Sequence, residues 1–357
     1  MPTTPGFAES LASGVVDIYA AVENQILQAM ADRVREGLDT MMLQGQLAEI
    51  QAFRLQAQGI LTAAVSPIQH EVGQVITQAV NYGNEEAKNE IAKQLKVPKT
   101  TLAPARNVLA LVQQALHGVQ AAHFQILPRV TDVYTQVIRS VMNAPLLGVE
   151  TRKVAAQKAL DEFARRGITV FSRGGRQWQI SSYVEMSLRT SLMNATLQGH
   201  SDQLRANGLD LVVVSNHAQE CKLCRPYEGA ILCLTGSPGT QEINGHEVHV
   251  ETTMAVARAN GLFHPNCRHT YSAYQPGITR DFGETADPQG DQDRQKLRYL
   301  ERQVRAYKRL EAAALDDDAA RDARARVREW QAAIREHVAS TSARRQPDRE
   351  RITGAFA

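Results

Sequence analysis

Leu209-Asp210-Leu211-Val212-Val213-Val214-Ser215-Asn216-His217, continuing through Ala218-Gln219-Glu220 to Cys221-Lys222-Leu223-Cys224, is where the chain changes character. Its apolar residues are consecutive and β-branched, without the three-and-four spacing of a helix, so the stretch Leu209 to Ser215 predicts a strand. That strand delivers the chain to a histidine and a C-x2-C pair. Around it the pattern stays mixed. Ile168-Thr169-Val170-Phe171 and Gln177-Trp178-Gln179-Ile180 flank a Gly174-Gly175 turn and read as two short strands. Ser181 or Ser182 can cap a helix from Tyr183 to about Asn207-Gly208. Ile231-Leu232-Cys233-Leu234 predicts a further strand closed by Gly236-Ser237-Pro238-Gly239, with Glu247 to Val250 as its expected partner. Thr252 to Asn260 predicts a short helix stopped by Gly261.

Upstream the chain reads as helical. Val15, Tyr19, Val22, Ile26, Met30, Val34 and Leu38 are spaced by three and four residues and share one helix face. Leu47 to Val65, ending near Ser66-Pro67, Ile68 to Val80, ending at Asn81-Tyr82-Gly83-Asn84, and Glu85 to Leu95, stopped by Val97-Pro98, predict three more helices. Pro104 opens a helix from Ala105 to Leu127, which Pro128 breaks or kinks. Val130 to Val141 continues to a stop before Ala144-Pro145, and Glu150 to Arg166 ends at Gly167. Downstream, Pro276 to Asp293 has the composition of a linker. Leu297, Leu300, Val304, Tyr307 and Leu310 form one apolar stripe and Ala320, Ala323, Val327, Trp330, Ile334 and Val338 another, with Asp316-Asp317-Asp318 between them as turn and N-cap. This predicts an αα-hairpin with a frayed basic end from Ser340 to Ala357.

The expected fold class is therefore α+β and predominantly helical, in three consecutive parts. Residues 1–166 form a helical docking region, 167–283 a small α+β domain with a Cys/His zinc-type site, and 284–357 a linker with a basic helical hairpin and tail.

Composition narrows the classes. The 357 residues are 43% hydrophobic and 22% charged, which excludes a wholly disordered or collagen-like chain, and only 5% aromatic, which disfavours an all-β sandwich. No run approaches the ~20 apolar residues of a membrane span, and Met1 to Gly6 lacks the regions of a signal peptide, so a soluble, unsecreted protein is expected. The net charge of +2 is an average. From Arg294 onward there are sixteen Lys and Arg against ten Asp and Glu, so the C-terminal part carries +6 and the remainder −4. Arg321, Arg324, Arg326, Arg328, Arg344, Arg345, Arg349 and Arg351 could contact phosphates, although Asp322, Glu329 and Glu336 interrupt them as on a solvated helix face.

Chemistry concentrates in one window. All four cysteines lie between 221 and 267, and His217-x3-Cys221-x2-Cys224 is answered forty residues after Cys224 by His264-Pro265-Asn266-Cys267-Arg268-His269. A tetrahedral zinc takes thiolate and imidazole ligands from two such short segments. The expected set is Cys221, Cys224, His264 and Cys267, with His269 or His217 as substitutes, and four protein ligands would make the zinc structural. Cys233, on an alternating apolar strand, is expected in the core. The order of motifs does not fit a deaminase, which needs H-x-E before the cysteine pair, and His246-Glu247-Val248-His249 is not H-E-x-x-H. Glu220 and Glu228 flank the cysteine pair, where carboxylates are ordinarily solvated, so no catalytic residue is assigned.

Trp178-Gln179-Ile180-Ser181-Ser182-Tyr183-Val184-Glu185-Met186 with Arg189-Thr190, Gly208 to Val212, Cys221-x2-Cys224-Arg225-Pro226-Tyr227-Glu228-Gly229, and Gly261-Leu262-Phe263-His264-Pro265-Asn266-Cys267-Arg268-His269 together resemble the tailed-bacteriophage minor capsid proteins related to the Mu F and SPP1 head-morphogenesis group. The resemblance covers about Ile168 to Gly277, and the C-terminal hairpin is similar to the segment C-terminal to that domain in phages and prophages. It implies a minor head protein in the virion, a structural component rather than an enzyme. It further implies a place at the portal vertex beside portal and major capsid proteins, assembly in the host cytoplasm, and a part in DNA packaging or ejection. Two other classes share the Cys/His pattern: a zinc-dependent nuclease packaged in the virion, and a zinc-ribbon DNA-binding regulator.

Overall fold

A computed structural model of the protein describes residues 5–37, 45–95, 107–146, 151–172, 174–217, 222–265, 267–279 and 287–352. Over these the chain is predominantly helical with small sheets. In order, the elements are α1 (Pro5–Gly37), α2 (Gln46–Leu95), α3 (Val108–Leu146), α4 (Arg152–Arg166), β1 (Thr169–Phe171), β2 (Gln177–Gln179), α5 (Ile180–Ala206), β3 (Leu211–Val214), β4 (Ile231–Cys233), β5 (Gly239–Ile243), β6 (His246–Val250), β7 (Thr252–Thr253), α6 (Met254–Ala259), β8 (Tyr271–Ala273), α7 (Pro288–Ala312) and α8 (Asp317–Ser340). Cys221, Val97-Pro98 and Pro104, which figure in the sequence reading, lie outside the described residues.

Two compact units divide the chain, each drawn from three separate stretches. One comprises Met1–Ala12, Glu71–His117 and Met186–Gln292, the other Ser13–His70, Gly118–Glu185 and Asp293–Ala357. The consecutive three-part organisation expected from the sequence follows composition, whereas the units follow contacts, and the long helices α1, α2 and α3 each contribute residues to both.

The second unit is helix packed on helix. The face expected on α1 is the one it buries: Val15, Tyr19, Val22, Ile26, Met30 and Val34 are all inaccessible to solvent or nearly so. Thr151 caps α4, its side chain accepting from the Val154 amide, and β1 pairs antiparallel with β2 as expected. Gly167 then turns the chain at φ 67, and a Cβ there would fall 2.4 Å from Glu23 Oε1. The close approach serves a buried ion pair. Glu23 Oε1 accepts the Ile168 amide at 2.6 Å and its other oxygen faces Arg309 Nη1 at 3.5 Å. Arg309 in turn donates from Nε to Ala164 O (2.7 Å) and from Nη2 to Arg165 O (3.3 Å), satisfying carbonyls at the open end of α4.

The αα-hairpin of α7 and α8 forms as its stripes predict. Leu297, Leu300, Val304 and Ile334 make its core, with Val327, Trp330 and Val338 packed against it, and Asp316 caps α8 by accepting the Ala319 amide. Its end corrects the expectation of a frayed tail. Pro347–Glu350 forms a 3-10 turn, Arg345 pairs with Glu350, and Arg349 grips both carboxylate oxygens of Glu185. Charge alone suggested a solvated tail. The acidic partners that hold it are either local or far away in sequence.

Four expected helix breaks also fail, among them the stop before Ala144-Pro145, which α3 runs past to Leu146. Pro67 lies inside the 50-residue α2, where a proline deletes one backbone bond and costs ~3 kcal/mol. Ala64, Ile68 and Val72 beside it are buried, and stopping the helix would expose that face. Asn81-Tyr82-Gly83-Asn84 is likewise helical. Gly83 is a packing residue: a Cβ there would lie 2.0 Å from Thr196 O on α5, while one on Gly199 of α5 would lie 2.3 Å from Val80 O. The two glycines let the helix backbones of α2 and α5 touch in the first unit. Pro128 is also continuous within α3, flanked by the buried Ile126 and Val130.

The first unit carries the four-stranded sheet, ordered β7-β4-β3-β8, antiparallel except for the parallel β4–β7 pair. Val212, Val213 and Val214 of β3 are all buried because both sheet faces are covered. On one face Ala87 and Ile91 of α2, Met193, Leu197 and Leu204 of α5 and Met254 and Ala257 of α6 pack with Phe263 and Tyr271. On the other, Cys233 joins Val248 and Val250, so it is a core residue. The expected pairing of Glu247–Val250 with the Ile231–Leu234 strand is corrected: β6 pairs with β5 as a separate hairpin. Strand β8, three residues long, is not among the strands expected from the sequence, although Pro276-Gly277 marks a turn just after it.

Candidate metal centre

Two loops at one end of the sheet build the centre. After β3 the chain reaches Cys224, which opens a 3-10 turn, Arg225–Tyr227, with Pro226 at its start, and Glu228 closes that turn. Gly229, at φ 71, sends the chain back, its amide bonded to Val214 O. The second loop leaves α6 through Gly261 at φ 105 and Phe263 at φ 59. A left-handed phenylalanine is strained by ~1–2 kcal/mol. Its ring is held in the core 5.9 Å from that of Tyr271, which offsets the cost. The Cys267 amide bonds to His264 O at 2.9 Å, and the chain then runs through His269 into β8.

These loops bring Cys224, Cys267 and His269 together, with one potential ligand atom from each within 4.8 Å of the others. The sulfurs are 3.4 Å apart, far beyond the ~2.05 Å of a disulfide. Cys267 Sγ lies 3.5 Å from His269 Nδ1 and also accepts the His269 amide at 3.4 Å. The far ring nitrogen, Nε2, lies 2.6 Å from Glu228 Oε1, the same oxygen that accepts the His217 amide at 3.0 Å. Cys224 is wholly buried and His269 is 2% exposed.

The electrostatics follow from this crowding. Cys267 is pulled down to about 4, first by its hydrogen bond with Cys224 and then by His269, against the opposing effect of burial. Burial works against charge on His269 too, but Cys267 and Glu228 outweigh it and push the imidazole up. A thiolate is thus favoured at the half-buried Cys267, and the thiolate is the form that binds metal. The sulfur–sulfur and Cys267–His269 separations are near the edges of about 3.8 and 3.5 Å that a tetrahedral thiolate and imidazole site would set, so the three residues could hold a metal ion.

Of the residues singled out by spacing, the structure places Cys224, Cys267 and His269 in one cluster. The His217 ring stands 6.0 Å from that of His269. His264 lies outside the cluster, its Nδ1 2.7 Å from Pro265 O. Glu228, set aside in the sequence reading as a solvated carboxylate, is instead largely buried against His269. The sequence signals for it were its position four residues after Cys224 and its place in the motif from Cys221 to Gly229.

A helical protein whose small α+β portion carries a buried Cys/His cluster has a class, and it is visible at the level of the whole chain. Residues 4–339 match the family described as phage minor capsid protein 2, and the chain belongs to that family. A protein named "Structural protein" from Lactococcus phage LL-H is 23% identical over 372 residues, covering 94% of this chain and 97% of that protein. No solved structure matches the chain. No helix among the described residues is long and apolar enough to cross a membrane.

Proposed function

We propose that the protein is a non-catalytic minor component of the phage head, placed in the virion at the portal vertex. There its helical surfaces dock on portal and major capsid proteins and assist head assembly and DNA packaging or ejection, as in the Mu F-like group. The observation that carries this reading is the match to a minor capsid family over 336 of its residues, from 4 to 339. Purified, DNA-filled particles should contain the protein at low copy, cross-linked to portal. Its absence from washed particles would sink the reading.

The same reading gives the α+β portion a structural zinc. Cys224, Cys267 and His269 supply three soft and borderline donors, which suit zinc better than magnesium or calcium, and Cys221, expected from its spacing and outside the described residues, would be the fourth that a structural site takes. Their burial supports a structural role: a bound metal would tie the β3–β4 loop to the segment before β8. Freshly reduced protein should carry about one zinc per chain by elemental analysis. Glu228 is occupied by His217 and His269 rather than facing an open cleft, which favours the structural reading over a packaged nuclease.

DNA contact through the C-terminal part narrows to its exposed arginines. Arg345 and Arg349 are engaged with Glu350 and Glu185. The exposed arginines of α8 pair with Asp318, Glu311 and Glu329 in solvent, and such pairs exchange readily for phosphate. Contact through Arg321, Arg324, Arg326, Arg328, Arg344 and Arg351, the last paired with the exposed Asp348, would be non-specific and would weaken steeply with added salt.

A further inference from the structure

The least expected feature of the Cys/His cluster is the carboxylate behind it. Glu228 has a side chain only 13% exposed, and a single oxygen serves two partners in different parts of the chain, the His217 amide and His269 Nε2. A carboxylate kept out of water needs such donors. Glu228 also sits on the turn that Cys224 opens, with its own amide bonded to Arg225 O at 3.2 Å. One sulfur and the carboxylate are therefore positioned by the same few residues.

The chemistry of the pair fixes the imidazole. An ionised carboxylate can only accept, so the nitrogen facing it, Nε2, must bear a proton. The nitrogen left to offer a lone pair is Nδ1, and Nδ1 is the atom that lies 3.5 Å from Cys267 Sγ. A histidine ligand whose second nitrogen donates to a carboxylate is oriented and made more basic by it.

We propose that Glu228 is the positioning residue of the metal centre, holding His269 in its Nε2-protonated form so that Nδ1, with the sulfurs of Cys224 and Cys267, binds a borderline divalent cation of the zinc type. This rests on the structural-zinc reading of the α+β portion and adds to it the binding atom and the residue that selects it. The same carboxylate reaches the His217 amide just after β3, so the loop between β3 and β4 is braced to the ligand histidine. Thiol, imidazole and carboxylate in sequence would also make a cysteine nucleophile. The second sulfur 3.4 Å from the first and the burial of Cys224 and His269 favour a cation over a substrate.

The test uses the full chain, reduced and loaded with zinc or cobalt(II). Wild-type protein should show sulfur-to-cobalt charge-transfer absorption that zinc abolishes. Zinc affinity, measured by competition with a chromophoric chelator, should fall about 10- to 100-fold in Glu228→Gln and by more in His269→Ala. His264→Ala should stay within about twofold of wild type. Since either substitution could disturb folding, the wild-type zinc form is also read by imidazole nitrogen NMR, which should show His269 protonated at Nε2 and coordinated at Nδ1. Alkylation of Cys267 should be blocked by zinc and restored by chelator. If wild type binds one zinc but His269 coordinates through Nε2, or Glu228→Gln binds as tightly as wild type, the positioning role is overturned while the zinc reading stands. If wild type binds no zinc and Cys267 alkylates rapidly, both fall and the nucleophile reading takes their place.

Discussion

Two buried charge clusters, one in each compact unit, solve the same problem in opposite ways. Around Glu23 and Arg309 every group has a fixed protein partner: the guanidinium meets a carboxylate and two helix-end carbonyls, and the carboxylate also takes the Ile168 amide. The Gln179 amide, oriented as the network requires, accepts from Nη1 and Nη2 at 3.0 and 2.6 Å. The cluster closes on itself. Around Cys224, Cys267 and His269, by contrast, three atoms that could ligate a metal lie within 4.8 Å of one another, and the Glu228 carboxylate lies against the far nitrogen of the imidazole rather than among them. Burial of charge by itself therefore says little about function. What separates the two is that only the second gathers atoms that could hold a metal ion.

That contrast can be broken experimentally, and the largest effect should come from the metal. Stripping zinc with a chelator under reducing conditions should destabilise the protein by on the order of 5 kcal/mol, a fraction of the ~10–16 kcal/mol available to structural zinc in small peptides. An unchanged urea midpoint would erase the distinction between the clusters. Next, Arg309→Met, which leaves Glu23 buried without its partner, should cost about 3–5 kcal/mol. Adding Glu23→Gln should restore much of that loss, and no metal should alter either value. A double cycle that shows no coupling would mean that the pair is incidental.

The backbone contact offers a smaller and more local test. Gly83→Ala forces a methyl against Thr196 O and should cost about 1–3 kcal/mol or more. Gly73→Ala on the same helix meets open space and should stabilise by about 0.5–1 kcal/mol. Equal effects at the two positions would refute the packing role. The smallest effect should come from Asp316→Ala at the start of α8. The Ala319 amide and Lys153 hold the Asp316 carboxyl below its ordinary 3.8. Its contribution is therefore complete above that value and disappears as pH falls through the lowered one. Melting curves of variant and wild type should differ slightly at pH 7 and converge in strong acid.

Where local chemistry decides, the sequence was readable. The α1 face, the β1–β2 hairpin, β3 and the Asp316 cap all follow from spacing and from residues within a few positions of one another. The cysteine window located the centre for the same reason. Reading failed where a distant partner overrode a local signal. Pro67 and Asn81-Tyr82-Gly83-Asn84 have the composition of breaks, but the faces of α2 that they interrupt are committed to burial and to contact with α5. The tail has the composition of a frayed end, yet Glu185 lies 164 residues from Arg349. Glu228 carries no mark that distinguishes it from a solvated acid, because its role depends on a histidine 41 residues away.

The interleaving of the two units has a consequence for how the protein is made. Neither unit is a contiguous segment, so neither can be finished early on the ribosome. The sheet-bearing unit lacks a part until Gln292 has emerged, and the other until its last stretch, Asp293–Ala357, is synthesised. At about 5–20 residues per second, Glu23 of the first helix waits for tens of seconds before Arg309 exists. Chaperone demand during translation is one practical sign of that arrangement; another is that a chain cut after Gln292 keeps every stretch of the first unit while stranding the two earlier stretches of the second without their last.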